Sequence, residues 1–183
     1  MKRIIMVCVL VLVSGCVFAQ EMPRETGKKN AVFVDLGYPI MGLIFGGFGI
    51  GGGYERAALP QVSISGNVGY VGFTLNDVEY LGFDISAVIR YYPSGMAVSK
   101  FYIGAMGSCS PLSITYNGSK ETSYPLTVAG MAGWKNVAGG GFFWEPYVGY
   151  RKSFGELKLP AGLGNLDYEL TGLMFGVGLG WAF

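Results

Sequence analysis

The side chains able to do acid–base or ionic chemistry are few, and most of them sit in an unusual setting. Glu55, Asp84, Arg90, Lys135, Glu145 and Arg151 each stand on the small-residue side of a segment whose alternate positions are large and apolar. Charges of both signs on one such face point to ion pairing in a confined space, because a charge left alone away from water costs several kcal/mol or neutralises itself. Two arrangements fit: a fixed network that fills the space, or a gate whose rearrangement opens a narrow ion path. Glu55, Arg90 and Glu145 should lie toward the same end, within reach of one another. The chain has no His, which removes the usual general base of Ser–His and Cys–His hydrolases. Without a nucleophile and base in a recognisable arrangement, no catalytic residue and no enzyme activity are expected. Cys109 alone cannot make a transition-metal site, so neither a metal nor another cofactor is expected. Gly47, Gly49 and Gly52 spell the form of a dinucleotide fingerprint, but the run continues into Tyr54 and Glu55 as strand, not helix, and reads as small residues filling a tight interior. A net charge of +1 with no basic run gives no reason to expect nucleic acid.

The elements that must position these charges are strands. Of 183 residues 51% are hydrophobic and 14% charged, with 31 Gly, 12 Tyr and 12 Phe. Gly is poor in helices and aromatics suit pleated surfaces, so the composition is all-β and one domain. Mean hydropathy is +0.40, yet after residue 20 no run approaches the roughly 18 apolar residues of a membrane helix. Strand character recurs over 31–38, 46–56, 61–74, 80–92, 100–114, 124–135, 142–154 and 168–183. Turns are expected at 57–60, 93–99 and 136–141, and longer links at 116–123 and 155–167. The apolar link 39–45 is expected to prolong its flanking strands. An even number of antiparallel strands removes both sheet edges by closing on itself, which predicts an eight-stranded antiparallel barrel.

The faces of these strands decide which kind of barrel is expected. In the last strand Thr171, Leu173, Phe175, Val177, Leu179, Trp181 and Phe183 alternate with Gly172, Gly176, Gly178, Gly180 and Ala182. Phe83, Ile85, Ile89 and Tyr91 likewise alternate with Asp84, Ser86, Val88 and Arg90, and Trp144, Val148 and Tyr150 with Glu145, Tyr147 and Arg151. A soluble barrel keeps its apolar face inside and its charges outside. Here the charges share the small face, so the expected fold is a transmembrane barrel with its bulky face in lipid and a narrow, polar lumen. Tyr80, Tyr91, Tyr92, Tyr124, Trp134, Phe142, Trp144, Trp181 and Phe183 fall near strand ends, as interfacial aromatic girdles do. A carbohydrate-stacking platform would need aromatics on loops, and only Tyr116, with Asn117 and Ser123, offers one.

Export is expected from the first residues. Lys2 and Arg3 precede an apolar stretch over 4–13. Two processing readings compete: cleavage after Ala19, with Val17 at the minus-three position, and lipidation at Cys16 in Val13-Ser14-Gly15-Cys16. The small-residue rule prefers the first. It gives a signal peptide over 1–19, a short periplasmic segment over 20–30 and the barrel over 31–183. Cys8 and Cys16 then leave with the signal, Cys109 stands alone, and no internal disulfide is expected.

The ending Gly176-Val177-Gly178-Leu179-Gly180-Trp181-Ala182-Phe183 resembles the C-terminal assembly signal of bacterial outer-membrane proteins, with Gly178, Trp181 and Phe183 at its characteristic positions; Gly176 departs from it, a polar residue being usual there. The resemblance implies recognition by the barrel-assembly machinery. From about residue 31 to 183 the chain is similar to small eight-stranded barrels of the opacity and OmpA-type membrane domains. Gly53-Tyr54-Glu55-Arg56, Arg90-Tyr91-Tyr92-Pro93, Gly133-Trp134-Lys135 and Phe142-Phe143-Trp144-Glu145-Pro146-Tyr147 resemble an outer-membrane barrel family of unknown function. That likeness implies a location in the bacterial outer membrane, contact with its phospholipid and lipopolysaccharide-type lipids, and no established activity. No peptidoglycan-binding domain is expected after Phe183. The role expected is structural, or surface interaction with an extracellular partner through loops, above all 155–167. The rival is a narrow passive channel or transporter for small or apolar solutes, prompted by the apolar stretch 40–48.

Overall fold

In the computed structural model, residues 27–155, 157–161 and 171–183 are described. The expected leader, most of the link after residue 155 and the start of the last strand lie outside them. The wall is built from β1 (Asn30–Asp35), β2 (Phe48–Leu59), β3 (Val62–Leu75), β4 (Val78–Tyr91), β5 (Lys100–Cys109), β6 (Leu112–Tyr116), β7 (Ser119–Ser123), β8 (Leu126–Val137), β9 (Phe142–Phe154) and β10 (Gly172–Ala182). All pairings are antiparallel, β3 joins β4, and β1 joins β10, so the sheet closes. Both β5 and β6 pair with β4, one beyond the other, and β8 pairs with β5 as β7 does with β6. The ten segments therefore make eight wall strands, a closed antiparallel eight-stranded barrel.

The two interrupted wall strands break side by side. Ser110–Pro111 separates β5 from β6, and Tyr124–Pro125 separates β7 from β8. A proline removes a ladder donor, and the Ser110 N–H donates instead to the Pro125 carbonyl at 3.0 Å. The link expected over 116–123 is not a loop. It is a hairpin turned by Asn117 and Gly118, with φ of 47° and 79°, the left-handed pair that a two-residue turn requires. Asn76 and Asp77, at 49° and 63°, turn β3 into β4 in the same way.

The apolar link does not prolong strands as expected. It forms a helix, α1 (Gly37–Ile44), inside the mouth of the barrel. A Cβ on Gly49 would come within 2.1 Å of the Tyr38 carbonyl oxygen, and one on Gly51 or Gly69 within 2.1 Å of the Tyr38 ring. The glycines of β2 and β3 thus make the recess that admits α1 and its tyrosine.

Side chains in the wall alternate as the period of two demands. Positions 62–72 on β3, 81–91 on β4, 101–109 on β5, 124–134 on β8 and its lead-in, and 173–183 on β10 carry apolar or glycine residues outward. Each run is roughly nine to eleven residues long, and at the rise and tilt of barrel strands this makes a belt about 25 Å tall. Beyond it, away from the chain termini, the polarity inverts. Thr74, Glu79, Ser113, Thr115, Lys120 and Thr122 now face outward, while Phe73, Val78, Tyr80, Leu112 and Ile114 face inward, together with Glu121 and Ser123. Phe45 stacks on Phe73 at 5.0 Å and Phe73 on Tyr80 at 4.9 Å. Tyr80 therefore belongs to this inward stack and Tyr92 to the buried interior, not to an outer girdle; Tyr91, Trp134, Phe142, Trp181 and Phe183 are exposed on the outside at the terminus end.

The terminus end is plugged. Val98, from the connection between β4 and β5, packs with Ala31, Val137, Phe143 and Ala182 in a buried cluster, and the Ala97 N–H donates to the Pro60 carbonyl at 2.8 Å. The stretch 93–99, expected as a simple turn, folds back under the barrel. Phe183 and Asn30 exchange two backbone hydrogen bonds of 2.9 Å, so the last residue closes the wall.

Candidate functional site

Directly above the terminal plug, four charged side chains meet in the lumen. Glu55 comes from β2, Arg90 from β4, Lys135 from β8 and Glu145 from β9, all on inward positions. No two of these strands are neighbours except β8 and β9, so only closure of the barrel brings the four together. Arg90 lies 3.0 Å from Glu55 and 3.4 Å from Glu145, while Lys135 contacts Glu55 and lies 2.7 Å from Glu145. Each carboxylate thus touches both cations and each cation both carboxylates. All four side chains are at most 5% exposed, and their charges cancel. Lys135 Nζ approaches Glu145 Oε2 outside the hydrogen-bonding direction, so that contact is coulombic in character.

Neutral hydroxyls surround the quartet, while Arg90 Nε and Glu145 Oε2 have no hydrogen-bond partner. Tyr92 Oη donates to Glu55 at 2.7 Å, Tyr102 Oη to Glu145 at 2.6 Å, Ser63 Oγ to Glu55, and Arg90 to Ser65 Oγ at 3.2 Å. Lys135 lies 4.4 Å from the centre of the Phe143 ring, and Arg90 5.2 Å from that of Tyr102, adding cation–π attraction in a place shielded from water. A buried ion pair earns its place only where geometry and extra hydrogen bonds offset desolvation, and here both carboxylates have them.

Asp84 and Arg151 share the inner face but lie apart from the quartet. Asp84 accepts from Ser110 Oγ at 2.6 Å and Tyr38 Oη at 3.1 Å. Arg151 sits between Ala129 of β8 and Gly172 of β10. A further polar pair joins β1 to β9, where Tyr147 Oη donates to Asp35 Oδ2 at 2.7 Å. Of the assembly-signal positions, Gly178 is buried opposite Glu145 and Asp35, whereas Trp181 and Phe183 face outward.

Sequence reasoning missed the tyrosine and serine partners. Tyr92 and Tyr102 are inward by parity, but which carboxylate each meets depends on the closed register. Among the described residues no three His, Cys, Asp or Glu side chains gather as a metal-holding set. The quartet ties four wall strands together across the lumen. No protein-family profile, no curated protein and no solved structure matches the chain, so function has to be argued from this geometry.

Proposed function

We propose that the chain is a bacterial outer-membrane barrel with a sealed interior, serving a structural or surface-interaction role and not catalysis or conduction. The observation that carries this is the outward apolar belt with its inversion. Water would favour polar residues over the whole outer surface, and a simple hydrophobic sheet would not change sides along one strand. An apolar band of about 25 Å followed by polar outward positions is the pattern that a lipid layer and the water beyond it select. The outward aromatics at the terminus end fit the level of lipid headgroups. The export signal expected from the first residues and the resemblance of the 176–183 segment to an assembly signal support the outer membrane and its assembly machinery as the setting.

The quartet and the Val98 plug argue against the rival, a narrow passive channel, because both would have to part before a solute could pass. The protein should fractionate with outer membranes and show a folded band that shifts on heating in gels. Reconstituted in planar bilayers, it should give no conductance above background. Steady single-channel currents in the parent protein would replace the sealed barrel with the channel; fractionation with soluble proteins would end both readings.

A further inference from the structure

The barrel closes where its first and last strands meet, and that seam is short. Five residue pairs join β1 to β10, from Ala31 with Ala182 to Asp35 with Gly178, and five more join β1 to β2, whereas ten join β9 to β10. β1 is thus lightly held on both sides. Directly across the barrel, the connection from β4 to β5 leaves the wall. Two wall strands separate it from the seam in either direction, β3 and β2 one way, β8 and β9 the other. It nevertheless reaches the seam. Its Val98 is 1% exposed and packs in one cluster with Ala31 and Ala182, a pair that joins β1 to β10, and with Val137 and Phe143. On the way, the Ala97 N–H donates to the carbonyl of Pro60, between β2 and β3. The connection therefore spans the mouth and seats a side chain in a cluster that both sides of the seam share.

A strained backbone accompanies this reach. Val98 has φ of 67° and Lys100 of 73°, in the left-handed region where a β-branched residue is an outlier. Glycine would adopt that conformation freely, as Gly95 does at 75° in the same connection. Strain of this kind persists only where the surroundings over-determine it. For Val98 the surroundings are the buried cluster, and the Ala31–Ala182 part of that cluster exists only when the first and last strands are paired.

We propose that residues 93–99 form a latch on the seam. The latch sets when β1 pairs with β10, because only then is there a seat that holds Val98 in its strained form. Once set, it resists reopening of the same joint. The two events are coupled, so a change that loosens the latch loosens the seam, and the reverse. The proposal needs only the closed barrel and goes beyond the membrane reading.

Hydrogen exchange followed by mass spectrometry tests this on the full chain folded in detergent micelles. Val98→Ala removes the seated methyl groups from the connection. Val137→Ala removes the same atoms from the same cluster, but on β8, away from the seam. In Val98→Ala the amides of 31–35, 178–182 and 95–99 should exchange faster by on the order of tenfold, the effect of a small core cavity on local opening. Amides between β3 and β4 should be unchanged, and Val137→Ala should move the seam several-fold less. Val98→Gly, which removes the side chain and relieves the strain together, makes the same comparison if the alanine variant does not fold. A seam unchanged by loss of the Val98 side chain would overturn the proposal. Uniform acceleration across all joints would also overturn it, by making Val98 general packing, and so would equal effects of the position 98 and position 137 variants at the seam.

Discussion

The two ends of this barrel are filled in opposite ways. At the terminus end the wall strands supply most of the filling: the quartet of Glu55, Arg90, Lys135 and Glu145 grows from four strands, and Val98, from the connection between β4 and β5, packs in the cluster beneath it. At the other end the interior is occupied by an inserted piece, α1, whose Tyr38 drops onto Gly51 and Gly69, and the sheet above has exchanged its faces. Filling that belongs to the wall can be removed only by weakening the wall. A filling carried by a helix can be loosened with the wall intact.

That contrast can be broken most directly at the quartet. Lys135→Met leaves two buried carboxylates facing one guanidinium and should destabilise the barrel by about 3–5 kcal/mol, read as a lowered urea midpoint in detergent micelles; a loss below about 1 kcal/mol would mean that the quartet does not lock the terminus end. Next in size, Ile85→Arg puts a charge on the outward belt and should cost about 2–4 kcal/mol in reversible unfolding from lipid vesicles. Tyr38→Ala should cost about 2–3 kcal/mol through lost packing and the lost bond to Asp84. Hydrogen exchange should show the effect concentrated in α1 and the start of β2, with β4 amides near Arg90 unchanged; uniform acceleration would erase the distinction between the two ends. Smallest is Thr115→Arg, outward beyond the belt, expected within about 0.5 kcal/mol of the parent in the same vesicle assay as Ile85→Arg. Equal costs at positions 85 and 115 would show that the inversion marks no boundary.

Much of the wall is legible in the sequence, because a strand's period of two survives without knowledge of its neighbours. The alternations around Asp84, Arg90, Glu145 and Phe175 assign their faces correctly, and the expectation that Glu55, Arg90 and Glu145 lie close together follows from face and height alone. What resists reading is whatever depends on local exceptions or on closure. Residues 37–44 form too short a segment to display a helical period, and their uniformly apolar character fits a strand as well. The Asn117–Gly118 turn, by contrast, carried a plain hairpin signal that a polar loop reading passes over. Pro111 and Pro125 each break a strand, but only pairing reveals that they break at the same level. The bonds from Tyr92 and Tyr102 to the carboxylates required the register of strands far apart in sequence.

The neutrality of the quartet has an electrical consequence. A potential of 100 mV does about 2.3 kcal/mol of work on each elementary charge moved across it, but Glu55, Arg90, Lys135 and Glu145 displaced together carry no net charge. Voltage finds no lever on the group as a body. It can act only by pulling the cations from the carboxylates, against attractions that burial strengthens. In a barrel that spans a membrane as proposed, the quartet should therefore hold together under either polarity.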